Sequence, residues 1–218
     1  MKDIPAIKGK FYIRRLIEEG EHEHQDFKFA ITDARKIARS ISAFANNDGG
    51  RLLIGVKDNG AVVGVPNEED IYMVEHAAEA YCQPPQKVRV TAFLADGGAI
   101  VLRVDIDRAD VRPVYCREEL DRHIAYFRVA DENIAAHPLM VRAWQFSAGD
   151  SSAGFSFSNE ELDAMTVIET LQPLTPEQFY RRVRISRQRA EQLIVRLLAL
   201  GNITMKHTPS GFLIATTD

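Results

Sequence analysis

Cysteine is scarce, neither sign of charge is in large excess, and long apolar runs are missing, so several protein classes drop out before any motif is considered. The 218 residues contain two cysteines, Cys82 and Cys116, with no metal-ligand spacing and no histidine at a matching interval. Neither a disulfide scaffold nor a zinc module is expected, and both thiols are read as reduced core residues. No apolar stretch approaches the about 20 residues that a bilayer span needs. The opening MKDIPAIKGK also lacks an apolar signal core. The expectation is a cytoplasmic chain with no membrane partner. A formal net charge of -4 lacks the positive excess of a protein that merely coats polyanions, so any nucleic-acid role must rest on a local basic patch. No repeat at solenoid periods is visible.

What is present centres on Ala34 to Val65. Ile37, Ile41 and Phe44, with Ala38 and Ala45, recur at helical spacing, while Arg35, Lys36, Arg39 and Ser42 lie mostly off that face. Asn46, Asn47, Asp48, Gly49 and Gly50 end the helix and reverse the chain, because Asn and Gly tolerate left-handed backbone. Asn46, Gly49 and Gly50 are therefore assigned a structural turn, although glycine backbone also permits close approach by a phosphate. The run Leu52, Leu53, Ile54, Val56 has strand length and predicts a strand covered on both faces. Asp58-Asn59-Gly60 predicts a hairpin, with Ala61 to Val65 returning.

Before this stretch, Lys10 to Gly20 predicts a helix with Phe11, Ile13, Leu16 and Ile17 on one face. Gly20 to Ala30 turns into an alternation, with Asp26 and Lys28 on one side of a strand and Phe27 and Phe29 on the other. After it, a helix is expected from Pro66 to about Tyr81, then an antiparallel pair at Lys87 to Leu94 and Ala99 to Ile106. Arg112 to Cys116 reads as extended, Ile124 to Val129 as the last strand, and Pro138 to Gln145 as a short helix. The Ser- and Gly-rich segment at 147–158 reads as a linker. That divides the chain into an α/β domain at 1–146, the linker, and a small helical domain at 159–218.

Glu160 to Leu171 predicts a helix with Leu162, Met165, Ile168 and Leu171 on one face. Thr175-Pro176 opens a second, and Ser186 caps a third that Gly201 ends. Ile203 to His207 and Gly211 to Ala215 form a hairpin. Three helices and a hairpin give the layout of a winged helix-turn-helix, in which the start of the second helix of the pair enters the major groove. Here that start carries Arg187, Gln188 and Arg189, preceded by Arg181, Arg182 and Arg184. Arginine can grip phosphate or guanine and glutamine can read adenine; Lys206 or His207 on the wing would reach the DNA backbone. Between Arg181 and Arg196 six arginines face one acid, Glu191. The competing assignment is a solvated face of a structural domain used for dimerisation.

SISAFANNDGGRLLIGVKDNGAVVGV resembles the signature of the Schlafen-type, Alba-like family of domains, which reads Ala-Phe-Ala-Asn, a Gly-Gly turn, a hydrophobic strand, Gly-Val and an Asp-Asn or Asp-Gly turn. GEHEHQDFK resembles the acidic motif of the same family, and Tyr126-Phe127-Arg128-Val129 with Asn133 its closing strand. The resemblance spans roughly Phe11 to Gln145. It implies a mixed sheet with flanking helices and DNA binding; bacterial members that add a C-terminal winged helix are described as transcriptional regulators. An ATP site is not expected, since 47–51 lacks the spaced glycines and Lys-Ser/Thr of a phosphate loop. Asp26 stands where the family usually has Glu.

Some members are nucleases that use three carboxylates, and the positions here that match are Glu21, Asp26 and Asp58. Asp26 and Lys28 on one strand face can hold a divalent metal and stabilise phosphorane charge, with Asp58 as a further oxygen ligand suiting Mg²⁺ or Mn²⁺. Turn chemistry alone also accounts for Asp58, and an ion pair for Asp26 with Lys28. His22 and His24 are read as loop residues. The leading expectation is a non-catalytic, homodimeric DNA-binding regulator without cofactor or metal. A metal-dependent nuclease and a protein-interaction module stand as alternatives.

Overall fold

The computed structural model describes residues 5–119, 121–149 and 157–217, in two units, Met1–Ala135 and Ala136–Asp218. The first begins with β1 (Ile7–Lys8), α1 (Lys10–Glu19), β2 (Gln25–Lys28), α2 (Ala34–Asn46) and β3 (Gly50–Ile54). Helix α3 (Glu69–His76) continues into a π-helical turn at Ala77–Tyr81. Then come β4 (Cys82–Gln83), β5 (Val88–Leu94), β6 (Ile100–Ile106), β7 (Tyr115–Glu119), β8 (Arg122–Val129) and β9 (Glu132–Ala135). The second unit has α4 (Pro138–Gly149), α5 (Asn159–Leu171), α6 (Pro176–Arg182) and α7 (Arg187–Ala199), followed by antiparallel β10 (Ile203–Thr208) and β11 (Gly211–Thr216).

A five-stranded mixed sheet runs β1-β5-β6-β3-β2, and a second sheet runs β4-β7-β8-β9. Strands β2 and β3 are parallel, so α2 is their crossover. Leu52 and Ile54 of β3 join one core with Ile37, Ile41 and Phe44 of α2, while Leu53 joins another with Ile13 and Leu16 of α1 and Phe27 of β2. This two-sided burial is what the continuous apolar run of β3 predicts. It also explains why α2 departs from its amphipathic pattern: the helix packs against strands of both sheets. Ser40, Ser42 and Asn46 are buried with the apolar residues.

Ser40 bonds to the side chains of Asp26 and Asn133, whereas Ser42 and Asn46 pair with the backbone of Val114, just before β7, and of Tyr126 in β8. Ser42 Oγ accepts from Tyr126 N–H (3.1 Å) and donates to Val114 O (2.8 Å). Asn46 Nδ2 donates to Val114 O and Tyr126 O, both at 2.8 Å, while its Oδ1 accepts from Val114 N–H at 2.8 Å. Asn47 Oδ1 accepts from Arg128 N–H (3.1 Å) and its Nδ2 donates to Arg128 O (3.2 Å). The helix end thus takes the place of a neighbouring strand along the far part of β8, where β7 no longer pairs. The turn that follows requires glycine. Gly49 has φ +78 and a Cβ there would lie 2.8 Å from Ile106 O, while one on Gly50 would lie 2.3 Å from the Phe44 ring.

Several local expectations change. Helical spacing predicts Phe11 on the buried face of α1, but Phe11 is 77% exposed, and Phe29, past the end of β2, is 54% exposed. The returning strand at Ala61 to Val65 reduces to a single bridge, Val56 with Val62. Strand β9 follows the segment expected to be last; β1 and β4, two residues each, are too short to carry a periodic signal. Cys82 and Cys116 are direct cross-strand partners, both buried, and burial pushes the Cys116 thiol up to about 12.

In the second unit, Leu139 and Ala143 of α4 share a core with Ile168, Phe179, Leu193, Ile194 and Ile214. Helix α4 therefore packs with residues expected in the other domain, within the compact unit Ala136–Asp218. Of the expected linker, 150–156 lies outside the described residues, 147–149 ends α4, and Ser158 caps α5. The buried face of α5 is Glu161, Ala164 and Ile168, leaving Leu162 52% exposed. Glu161 closes a capping box with Ser158 and pairs with Arg196 at 2.8 Å, so a buried acid occupies the face predicted to be apolar.

Asn46→Ala would strand the Val114 amide and the Tyr126 carbonyl in the core. It is expected to cost at least about 2 kcal/mol, read as a fall in the urea midpoint, whereas the exposed control Lys36→Ala should stay within about 0.5 kcal/mol.

Candidate functional site

Strand β2 leaves Asp26 3% exposed, on the side of the sheet that faces α2. Its Oδ2 lies 2.6 Å from Lys28 Nζ, accepts from Ser40 Oγ at 3.3 Å and is 3.8 Å from Arg128 Nη1. Arg128 is itself fully buried: Nη1 donates to Asn133 Oδ1 (3.1 Å), and Nη2 to His22 O (3.1 Å) and Gln25 O (3.3 Å). Its guanidinium carbon sits 4.9 Å from the centroid of the Phe44 ring. Asn133 Nδ2 donates to Ser40 Oγ at 3.0 Å, which closes the network. Burial lowers the affinity of Arg128 for its proton, and the charges of Asp26 and Glu21 act against that.

Glu21 comes to this centre from the turn after α1, its Oε1 accepting the Phe27 N–H at 2.8 Å. Burial, together with the neighbouring Asp26, raises the Glu21 carboxyl above the ordinary value; the Phe27 N–H and Lys28 pull the other way. Of the four residues expected at a catalytic site, Glu21, Asp26 and Lys28 are thus brought together. Asp58 is exposed in the turn that Gly60 N–H closes on Lys57 O, and no interaction joins it to Glu21 or Asp26. Among the described residues no group of three or more His, Cys, Asp or Glu is placed to hold a metal ion. His22 and His24 bond locally, His22 Nδ1 accepting the His24 N–H and His24 Nδ1 lying 3.1 Å from Gly49 O. What Asp26 can do chemically in this arrangement is neutralise two cations.

The Gly49-Gly50 turn borders a cleft of about 260 Å³ lined by His24, Arg51, Arg89 and Arg108 together with Asp48 and Asp107. Its cations are all paired: Arg108 with Asp48 at 2.8 Å, Arg89 with Asp107, and Arg51 with Glu19 outside the cleft. The cleft has no net call for an anion.

In the second unit all the arginines expected at DNA are exposed, but they fall into two sets. Arg187 is held by Glu177 (2.7 Å) and Glu191 (3.2 Å), and Arg189 by Glu160 (2.6 Å). Arg181, Arg182, Arg184 and Lys206 are exposed with no ion-pair partner among the described residues. The sequence count of six arginines to one acid therefore overstates the positive charge, since Glu160, Glu161 and Glu177 arrive from α5 and α6. Arg128 and Ser40 lie inside two of the family motifs without being singled out there as site residues, and Glu160 and Glu177 lie in none of them. The available signal for Arg128 is a long cation at an inward position of an alternating strand.

The first unit is thus a mixed α/β domain with a buried crossover helix, an Asn-Asn reversal and an arginine sealed against a carboxylate. The chain belongs to the Schlafen AlbA_2 family, which residues 21–137 match. Two solved structures resemble it weakly. The DIP2311 protein of Corynebacterium diphtheriae is 17% identical with a TM-score of 0.44, over 88% of this chain and 34% of its own. The N-terminal domain of a RecG-related protein from Nitrosomonas europaea is 19% identical with a TM-score of 0.42, over 70% of this chain and 96% of its own. This chain therefore spans about a third of the DIP2311 protein. A comparison with curated proteins gives no match.

A carboxyl whose folded pKa is raised favours the folded state in acid and loses that advantage as pH rises through the raised value. Glu21→Gln keeps an acceptor for the Phe27 N–H and removes the charge. The variant should match the wild type in acid below the ordinary glutamate range and exceed it at neutral pH, as measured by urea midpoints across pH.

Proposed function

We propose that the chain binds nucleic acid, with duplex DNA as the ligand of the second unit and transcriptional regulation as its role. The carrying observation is the exposed trio Arg181, Arg182 and Arg184, which runs from the last turn of α6 to just before the capped start of α7 and has no ion-pair partner among the described residues. Helices α5 to α7 with the β10–β11 hairpin are read as a winged helix-turn-helix, in which α7 enters the major groove. Arg181, Arg182 and Arg184 would then grip phosphates, Arg187, Gln188 and Arg189 would face base edges, and Lys206 on the wing would reach the DNA backbone. Membership of the Schlafen AlbA_2 family supports a nucleic-acid partner for the chain. A homodimer belongs to this proposal, since a two-fold pair reads two half-sites. The nuclease alternative is not favoured, because Asp26 is engaged by Lys28, Ser40 and Arg128.

Retardation of a random-sequence duplex, followed as salt rises, tests this. Each phosphate contact contributes a slope of about 0.9 in log affinity against log salt. Replacing Arg181, Arg182 and Arg184 together by alanine should flatten the slope by up to about 3 units and weaken binding at every salt concentration. An unchanged slope, or a wild type that is not retarded at low salt, would set the proposal aside.

A further inference from the structure

The two arginines best placed to touch bases are closed by carboxylates from other helices. Arg187 turns both terminal nitrogens to Glu177, at 2.7 and 3.4 Å, sets Nε 3.2 Å from Glu191, and lies with its guanidinium carbon 4.8 Å from the Tyr180 ring centroid. Arg189 directs Nε (2.8 Å) and Nη2 (2.6 Å) at one oxygen of Glu160. Glu191 is shared with Arg142, at 2.9 Å. A carboxylate on these donors occupies the positions that a phosphate or a guanine edge would take. Among the described residues Arg181, Arg182 and Arg184 have no such partner.

On the DNA reading above, we infer that Glu177 and Glu160 are specificity-determining residues that compete with phosphate for Arg187 and Arg189. Exposed ion pairs of this kind are weak and salt-screened, so they lower the charge shown to any passing backbone without locking the side chains. An arbitrary duplex then meets Arg181, Arg182 and Arg184, while Arg187 and Arg189 leave their acids only for a site that replaces the lost hydrogen bonds at its base edges. Discrimination of this kind arises by penalising the wrong partner rather than by adding contacts to the right one.

The test uses the full chain and a short random-sequence duplex. Glu177→Gln and Glu160→Gln should each tighten binding about two- to fivefold and steepen the salt slope by about 0.9. Glu169→Gln, on the exposed side of α5, removes the same charge where no arginine is paired and should leave both values unchanged. In an Arg187→Ala background the effect of Glu177→Gln should vanish. Unchanged affinity in Glu177→Gln and Glu160→Gln, an equal gain in Glu169→Gln, or a Glu177→Gln effect that persists without Arg187 would each overturn the inference while leaving DNA binding intact. If neither the wild type nor any variant binds duplex, DNA binding and the inference fail together.

Discussion

A guanidinium sealed in a protein interior has to be surrounded by acceptors and answered by a charge, and Arg128 imposes that demand on the first unit. Asp26 supplies the charge, the carbonyls of His22 and Gln25 and the amide of Asn133 supply acceptors, and the Phe44 ring faces the cation. Arg128 can reach them because Asn47 grips its own backbone N–H and C=O. Asn46 and Ser42 fix Tyr126 just before it. One helix end therefore sets the register of β8, and that register delivers a cation to the carboxylate of β2. Removing Asp26 alone would leave a buried charge uncompensated, which is far more costly than removing both partners.

The same bookkeeping of charge picks out one cluster of cations. In the first unit, the conspicuous polar residues are consumed internally: Asp26 by Lys28 and Arg128, Asn46 and Asn47 by strand backbone, and Arg108 by Asp48. In the second, Arg181, Arg182 and Arg184 have no ion-pair partner among the described residues and stand within four positions of one another. A surface cation with no internal partner is free to meet a polyanion, and a chain with net charge -4 has to concentrate such cations to bind one.

Much of the scaffold was legible. The continuous run of β3 announced two-sided burial, the β5–β6 pair was bracketed by its Asp-Gly-Gly turn, and the caps at Thr175 and Ser186 marked two helix starts. Features set by distant partners were less so. Ser42 read as an off-face residue because one helix period cannot report a second sheet packed on the helix. Leu162 and Phe11 looked buried because spacing gives a stripe but not which side of the helix meets the core. At the candidate site, Glu21, Asp26 and Lys28 were legible from their motif, whereas Arg128 lies about a hundred residues away from them in the chain. Asp58 kept the turn role that its sequence context gives it. Pairing of Arg187 and Arg189 with Glu177 and Glu160 was invisible to a local count of charges, since those acids lie on other helices.

The central claim is that duplex DNA is met by the leftover arginines of the second unit while the charged centre of the first stays closed. Hydrogen exchange of the full chain, with and without a saturating random-sequence duplex at low salt, tests it most directly. The account predicts added protection around Val183 to Ala190 and on the β10–β11 hairpin, with the amides of Gln25 to Lys28 and Tyr126 to Arg128 unchanged. Protection gained at Gln25 to Lys28, with none near Ser186, would contradict it and move the nucleic-acid surface to Asp26 and Lys28.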